Sequence, residues 1–141
     1  MRILCLDIGQ KKIGIAISDE TGFIARGLAS INRGKNEYEK IKKLVEDYKV
    51  EKIVFGLPLK LDNSISAQAE KILSFIEGLK KIINIPFIPY DERFTTKQAE
   101  NILIQADLSR KKRKKLIDKL SAQIILQDYL NSQDLLKNNN E

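Results

Sequence analysis

The chain has 141 residues, 43% of them hydrophobic, enough for one domain with a proper core, and no apolar run reaches the roughly 20 residues of a membrane span. Lysine and arginine number 25 against 19 acids, and the net charge of +6 favours an anionic partner such as nucleic acid. The absence of histidine removes Ser-His and Cys-His nucleophiles and imidazole zinc sites, so hydrolysis must rest on carboxylates, lysine or a metal held by oxygen.

Residues 2–8 predict a buried strand interrupted by Asp7, and the same interruption breaks any signal-peptide pattern and predicts a cytoplasmic protein. Cys5 falls in this strand as a small buried hydrophobe; as the single cysteine, it excludes an internal disulfide. "GQKK" supplies a turn, and "IGIAIS" alternates, with Ile13, Ile15 and Ile17 on one face and Gly14, Ala16 and Ser18 on the other. "DETG" makes a second turn before a third strand over 23–31. "KNEYEKIKKLVEDYK" spaces Tyr38, Ile41, Leu44, Val45 and Tyr48 as a helix; "KIVFGLP" reads as a short buried strand and "SAQAEKILSFIEGLKKI" as a second helix. "IPFIPYDER" predicts a strand whose two prolines suit a sheet edge. Helices follow over about 95–106 and 109–131, and residues 132–141 form a polar tail expected to be disordered. The order β-β-β-α-β-α-β-α-α predicts an α/β fold, a single domain over 1–131. Its mixed five-stranded sheet has three antiparallel strands and then two parallel ones, with helices on both faces.

An unpaired carboxylate inside the first strand would cost several kcal/mol or be driven to its protonated form, so Asp7 needs compensation. Ligands of open α/β sheets collect beyond the carboxyl ends of the strands, and "YDER" ends the fifth strand with Asp91 and Glu92. Neighbouring strand residues face opposite ways, so one of that pair shares the face of Asp7. Asp118 lies on a helical stripe with Ser121, Ala122 and Ile125, whose small members allow close approach to a sheet. Three acids brought together repel one another unless a cation neutralises them, and Mg²⁺ or Mn²⁺ suits such an all-oxygen setting. Taken singly, each acid has an ordinary reading: Asp7 paired with Lys11 or Lys12, Asp91 with Arg93, Asp118 on a solvated Asp-Lys face. Joint placement at one end of the sheet distinguishes a site from these.

"RKKRKK", from Arg110 through Lys111, Lys112, Arg113 and Lys114 to Lys115, wraps cations around a whole helix circumference. A solvated helix face is one reading; phosphate contact beside Asp118 is the other. In "GLPLKLDNS", Gly56 allows close backbone approach and Asp62 or Asn63 marks a turn. In "FTTKQAE", Thr95 or Thr96 suits a helix cap.

Together, "LDIGQKKIGIAISD", "VFGLPLKLDNS", "YDERFTTKQAE" and "IDKLSAQIILQDYL" resemble the YqgF (RuvX) family of ribonuclease-H-like proteins over about residues 2–130. The resemblance implies an RNase H-like nuclease and a role in maturing the 5′ end of 16S ribosomal RNA, with Holliday-junction resolution as the alternative. It implies Asp7, Glu92 and Asp118 as catalytic metal ligands, and it favours Glu92 over Asp91. Nucleic-acid contacts are expected from Lys11, Lys12, Arg93 and the run Arg110 to Lys115. The chain departs from the family pattern at Lys12, where arginine is frequent, and at Asn63, often glycine. The implied partner is precursor ribosomal RNA in its particle, or branched DNA, bound by a monomer or weak homodimer with no membrane involved. Two other classes share parts of the pattern: actin-like ATPases, which need a second domain and phosphate loop, and a non-catalytic RNA-binding assembly factor.

Overall fold

A computed structural model describes residues 2–59, 62, 64–91, 109 and 120–133. Strands β1 (Arg2–Ile8), β2 (Lys12–Ser18) and β3 (Ala25–Asn32) precede helix α1 (Glu37–Asp47), strand β4 (Val50–Leu57), helix α2 (Ala67–Lys80) and strand β5 (Phe87–Asp91). Helix α3 is described over 120–133. The five strands lie in the order β3-β2-β1-β4-β5. β1 pairs antiparallel with β2 and β2 with β3, while β1 with β4 and β4 with β5 are parallel. This is the predicted mixed sheet, with β5 at an edge, where Pro89 removes no ladder hydrogen bond that the sheet needs. The predicted helix over 95–106 and most of the polar tail lie outside the described residues, as do Asn63, Thr95 and Thr96.

The alternation of β2 sorts the core as expected. Ile13, Ile15 and Ile17 join Leu4, Leu6 and Ile8 of β1 in a core shared with Ile41 of α1 and Ile72, Phe75, Ile76 and Leu79 of α2. Ala16 joins Ile3, Cys5 and Val54 against Ala122, Ile125, Leu126 and Tyr129 of α3 on the other face. β1 is therefore covered on both sides, each buried aliphatic side chain stabilising by about 1.5–3 kcal/mol. The helices of the first face pack closely: Tyr38 lies 5.0 Å from the Phe75 ring, and a Cβ added at Gly78 would overlap the Tyr38 hydroxyl.

β3 starts two residues later than the hydropathy predicts. The Asp19 carboxylate accepts from Thr21 Oγ1 at 2.8 Å and from the backbone N–H groups of Phe23 and Ile24 at 3.1 and 3.2 Å. Those N–H groups are thereby withdrawn from the ladder, and Phe23 and Ile24 are left 61% and 62% exposed in the turn. The Thr21 hydroxyl first, and then the backbone donors, hold the Asp19 carboxyl below the usual carboxylate range. Ser18 Oγ accepts from Ile3 N at 2.8 Å, beside the point where the register between β1 and β4 shifts. α2 begins at Ser66, whose hydroxyl accepts from Ala69 N at 3.1 Å. In the preceding loop Asp62 Oδ1 accepts from Ser64 N at 3.0 Å, so the turn predicted in "LDNS" is present.

Candidate functional site

β1 occupies the centre of the sheet, and the parallel strands β1, β4 and β5 end together at Ile8, Leu57 and Asp91. Asp7 lies at this carboxyl end. Two-residue alternation puts it on the face of Ile3 and Cys5, which pack against α3. Its cross-strand neighbour is Gly14, so no side chain stands opposite the carboxylate on β2. The residue is half-buried, and its flanks Leu6 and Ile8 point into the other core. Asp7 thus occupies the position where open α/β sheets collect ligands.

The same alternation places Asp91, the acid that ends β5. Ile88 and Tyr90 pack with the α3 core, whereas Phe87 packs with the α1–α2 core. Asp91 shares the parity of Phe87 and is exposed, on the opposite face from Asp7. Of the other predicted site residues, Lys11 and Lys12 are exposed in the β1–β2 turn and at the start of β2. Glu92, Arg93, Asp118 and the run Arg110 to Lys115 lie outside the described residues. Among the described residues, no group of three His, Cys, Asp or Glu side chains is placed to hold a metal ion.

The seat of α3 on this face rests on polar contacts that hydropathy alone does not reveal. Gln127 Oε1 accepts from Ala25 N at 2.9 Å, and its Nε2 donates to Phe23 O at 2.9 Å. The Tyr90 hydroxyl donates to Asp128 Oδ2 at 2.5 Å, joining α3 to β5. Burial first, and then this contact with the Asp128 carboxylate, push the Tyr90 phenol up to about 12. Tyr90 also meets Tyr129 edge to face at 5.9 Å, and Lys52 Nζ lies 5.5 Å from the centre of the Tyr129 ring.

Sequence patterning does not single out Arg33. Its Nη1 donates to Gly9 O at 2.7 Å, its Nε to Glu37 Oε2 at 2.9 Å, and its guanidinium carbon lies 4.8 Å from the centre of the Phe75 ring. Backbone contacts reinforce the join, since Arg33 N donates to Lys11 O at 2.8 Å and Gly9 N to Lys12 O at 2.9 Å. A Cβ at Gly9 would come 2.8 Å from Lys12 O, so this tight turn demands glycine. A single arginine between a strand and Gly34 carries no periodic signal. Only its contact 24 residues back reveals it.

A family profile described as "RuvX: Holliday junction resolvase" matches residues 1–132. The chain belongs to this family. A relative from Clostridium acetobutylicum is 53% identical over 135 residues, covering 94% of this chain and 99% of the relative; one from Thermoanaerobacter pseudethanolicus is 48% identical over 136 residues, covering 94% and 98%. Both carry the name "Putative pre-16S rRNA nuclease". Among solved structures, the fowlpox virus Holliday junction resolvase superposes with a TM-score of 0.56 at 20% identity, covering 94% of this chain and 99% of that one. Thermus thermophilus RuvC in complex with Holliday junction substrate gives 0.54 at 15% identity, covering 94% and 96%. At these identities the likeness establishes the RNase H-like fold. No helix among the described residues is long and apolar enough to cross a membrane.

Proposed function

We propose that the protein is a divalent-metal-dependent nuclease of the cytoplasm that trims the 5′ end of pre-16S ribosomal RNA, acting as a single-domain monomer or weak homodimer. The observation that carries this reading is the position of Asp7: on the central strand, at the carboxyl end of the sheet, on the face covered by α3. Glu92 is included on its sequence position, two residues beyond Tyr90 and in step with Ile88 and Tyr90. Asp118 is included on its spacing in the sequence, four and seven residues before Ala122 and Ile125. Asp7, Glu92 and Asp118 would hold Mg²⁺ or Mn²⁺, an oxygen-only set in a chain without histidine. Such an ion, when bound, supplies activation of water and stabilisation of the leaving oxygen. Gly14, opposite Asp7 on β2, puts no side chain beside the carboxylate. Lys11, Lys12, Arg93 and the run Arg110 to Lys115 hold neighbouring phosphates without reading bases, consistent with the net charge of +6.

The names of the relatives favour ribosomal precursor RNA, while the family description and the solved resolvases favour a DNA junction as the second substrate. The deciding experiment incubates wild-type protein and Asp7→Asn with precursor 16S RNA and with a synthetic four-way junction, each with and without Mg²⁺ or Mn²⁺. Metal-dependent cleavage of the RNA by wild type alone supports the proposal. Cleavage of the junction alone makes the protein a resolvase. RNA binding with no cleavage under any condition makes it a non-catalytic assembly factor.

A further inference from the structure

Behind Asp7, on the opposite face of the same strand end, lies an open cavity of about 520 Å³. Ile8 and Ile72 line its apolar side; Gln10, Arg33, Gln68 and Lys71 supply its polar groups. No carboxylate is among its described lining residues. Arg33 is held on three sides, by Gly9 O, by Glu37 and by the Phe75 ring, so its planar fork is fixed before any ligand arrives. Neither hydrogen bond uses its Nη2 group. A clamp between the β1–β2 turn and α1 accounts for these contacts of Arg33. It does not account for Lys71 and Gln68, three residues apart on one side of α2, lining the same space with Gln10. Two cations and two amides around one open cavity match an oxyanion that accepts several hydrogen bonds.

We propose that this cavity binds a backbone phosphate of the nucleic-acid strand, flanking the phosphate handled at Asp7. The inference rests on the nuclease reading above and adds a subsite to it. The spacing fits: Gly9 follows Asp7 by two residues, about 7 Å of extended chain at most. A strand crossing the carboxyl edge of the sheet therefore meets Asp7 on one side and Arg33 and Lys71 on the other. Contact here guides the path of the strand and its polarity, and reads no base.

The test measures binding of a single-stranded RNA oligonucleotide by fluorescence anisotropy across a salt series. The parent is Asp7→Asn without divalent metal, so the oligonucleotide stays intact. Lys71→Gln in that parent should weaken binding and reduce the slope of log affinity against log salt by about 0.7, the equivalent of one phosphate released. Lys71→Arg should restore the slope. Lys80→Gln, which removes the same charge at the far end of α2, should leave it unchanged. Lys71 and Lys80 are both exposed, and melting curves of each variant confirm an intact fold. If Lys71→Gln behaves as Lys80→Gln does, the subsite is wrong while the nuclease reading stands. If the parent binds neither RNA nor junction DNA, the nuclease reading falls and takes the subsite with it. A parallel melt with inorganic phosphate separates the remaining source. Stabilisation of the parent but not of Lys71→Gln, with an unchanged oligonucleotide slope, would assign the cavity to a free anion and overturn the proposal.

Discussion

Replacing Gln127 with alanine tests whether a polar clasp seats α3 against the sheet. Gln127 joins α3 to the start of β3, 102 residues away in sequence, through its contact with Ala25 N. Ala25 is only 4% exposed, so its N–H would be left away from water without an acceptor. An unsatisfied buried donor costs about 1–3 kcal/mol. The second partner, the carbonyl of Phe23, lies in an exposed turn where water takes the place of the amide at little cost. The higher helix propensity of alanine returns a few tenths of a kcal/mol. The balance is a loss of about 1–3 kcal/mol. For a chain of this size each kcal/mol moves the melting temperature by about 3–4 °C, so a fall of about 3–10 °C is expected. Gln127→Glu keeps an oxygen for Ala25 N and loses the donor to Phe23, so it should lie between wild type and alanine. Thermal melts give the stabilities, and amide exchange at Ala25 reports the particular bond. A melting temperature within about 1 °C of wild type, with the Ala25 amide still protected, would refute the clasp. Cleavage by Gln127→Ala should fall by more than its unfolded fraction explains, because α3 covers the face on which Asp7 lies.

Manganese at about 100-fold over its Kd should stabilise wild type by about 2.7 kcal/mol and leave Asp7→Asn nearly unmoved; equal shifts in melting temperature would remove Asp7 from the ligand set. Glutamine at Lys111, Lys112, Lys114 and Lys115 together should weaken nucleic-acid binding, lowering the salt slope by about 0.7–0.9 for each phosphate no longer held; an unchanged slope returns the run to a solvated helix face. Because the folded Tyr90 phenol titrates at about 12, above its ordinary value of 10.0, its contribution to stability is complete below the ordinary value and lost as pH rises through 12. Tyr90→Phe should flatten that alkaline decline. In tyrosinate absorbance, Asp128→Asn should lower the Tyr90 pKa without restoring the ordinary value, since burial is the larger cause; an unchanged titration would show that the Asp128 contact does not form in solution.

Local pattern made much of this fold legible. The alternation in "IGIAIS" assigned Ile13, Ile15 and Ile17 to one core and Ala16 to the other, as the packing shows. The helical spacing of Tyr38, Ile41, Leu44 and Val45 located α1, and prolines marked β5 as an edge strand. A lone acid in an apolar strand marks Asp7 without any knowledge of the fold. Such signals survive in one dimension because strand and helix periods repeat over several neighbouring residues.

Other features arise only when distant segments meet. The true start of β3 depends on the Asp19 carboxylate competing with the ladder for two N–H groups, which hydropathy does not register. The choice between faces for Asp91 was open in sequence, because alternation gives relative and not absolute orientation; the packing of Phe87 and Tyr90 against different helices decides it. Arg33 on Gly9, Gln127 on Ala25 and Tyr90 on Asp128 are single polar contacts across 24, 102 and 38 residues. Sequence by itself determined which stretches form elements and which acid is out of place, since those follow from local periodicity and the cost of burying charge. Tertiary structure decided which face Asp7 shares with α3 and that Arg33 and Lys71 line one cavity, because a meeting of remote residues leaves no repeating trace along the chain.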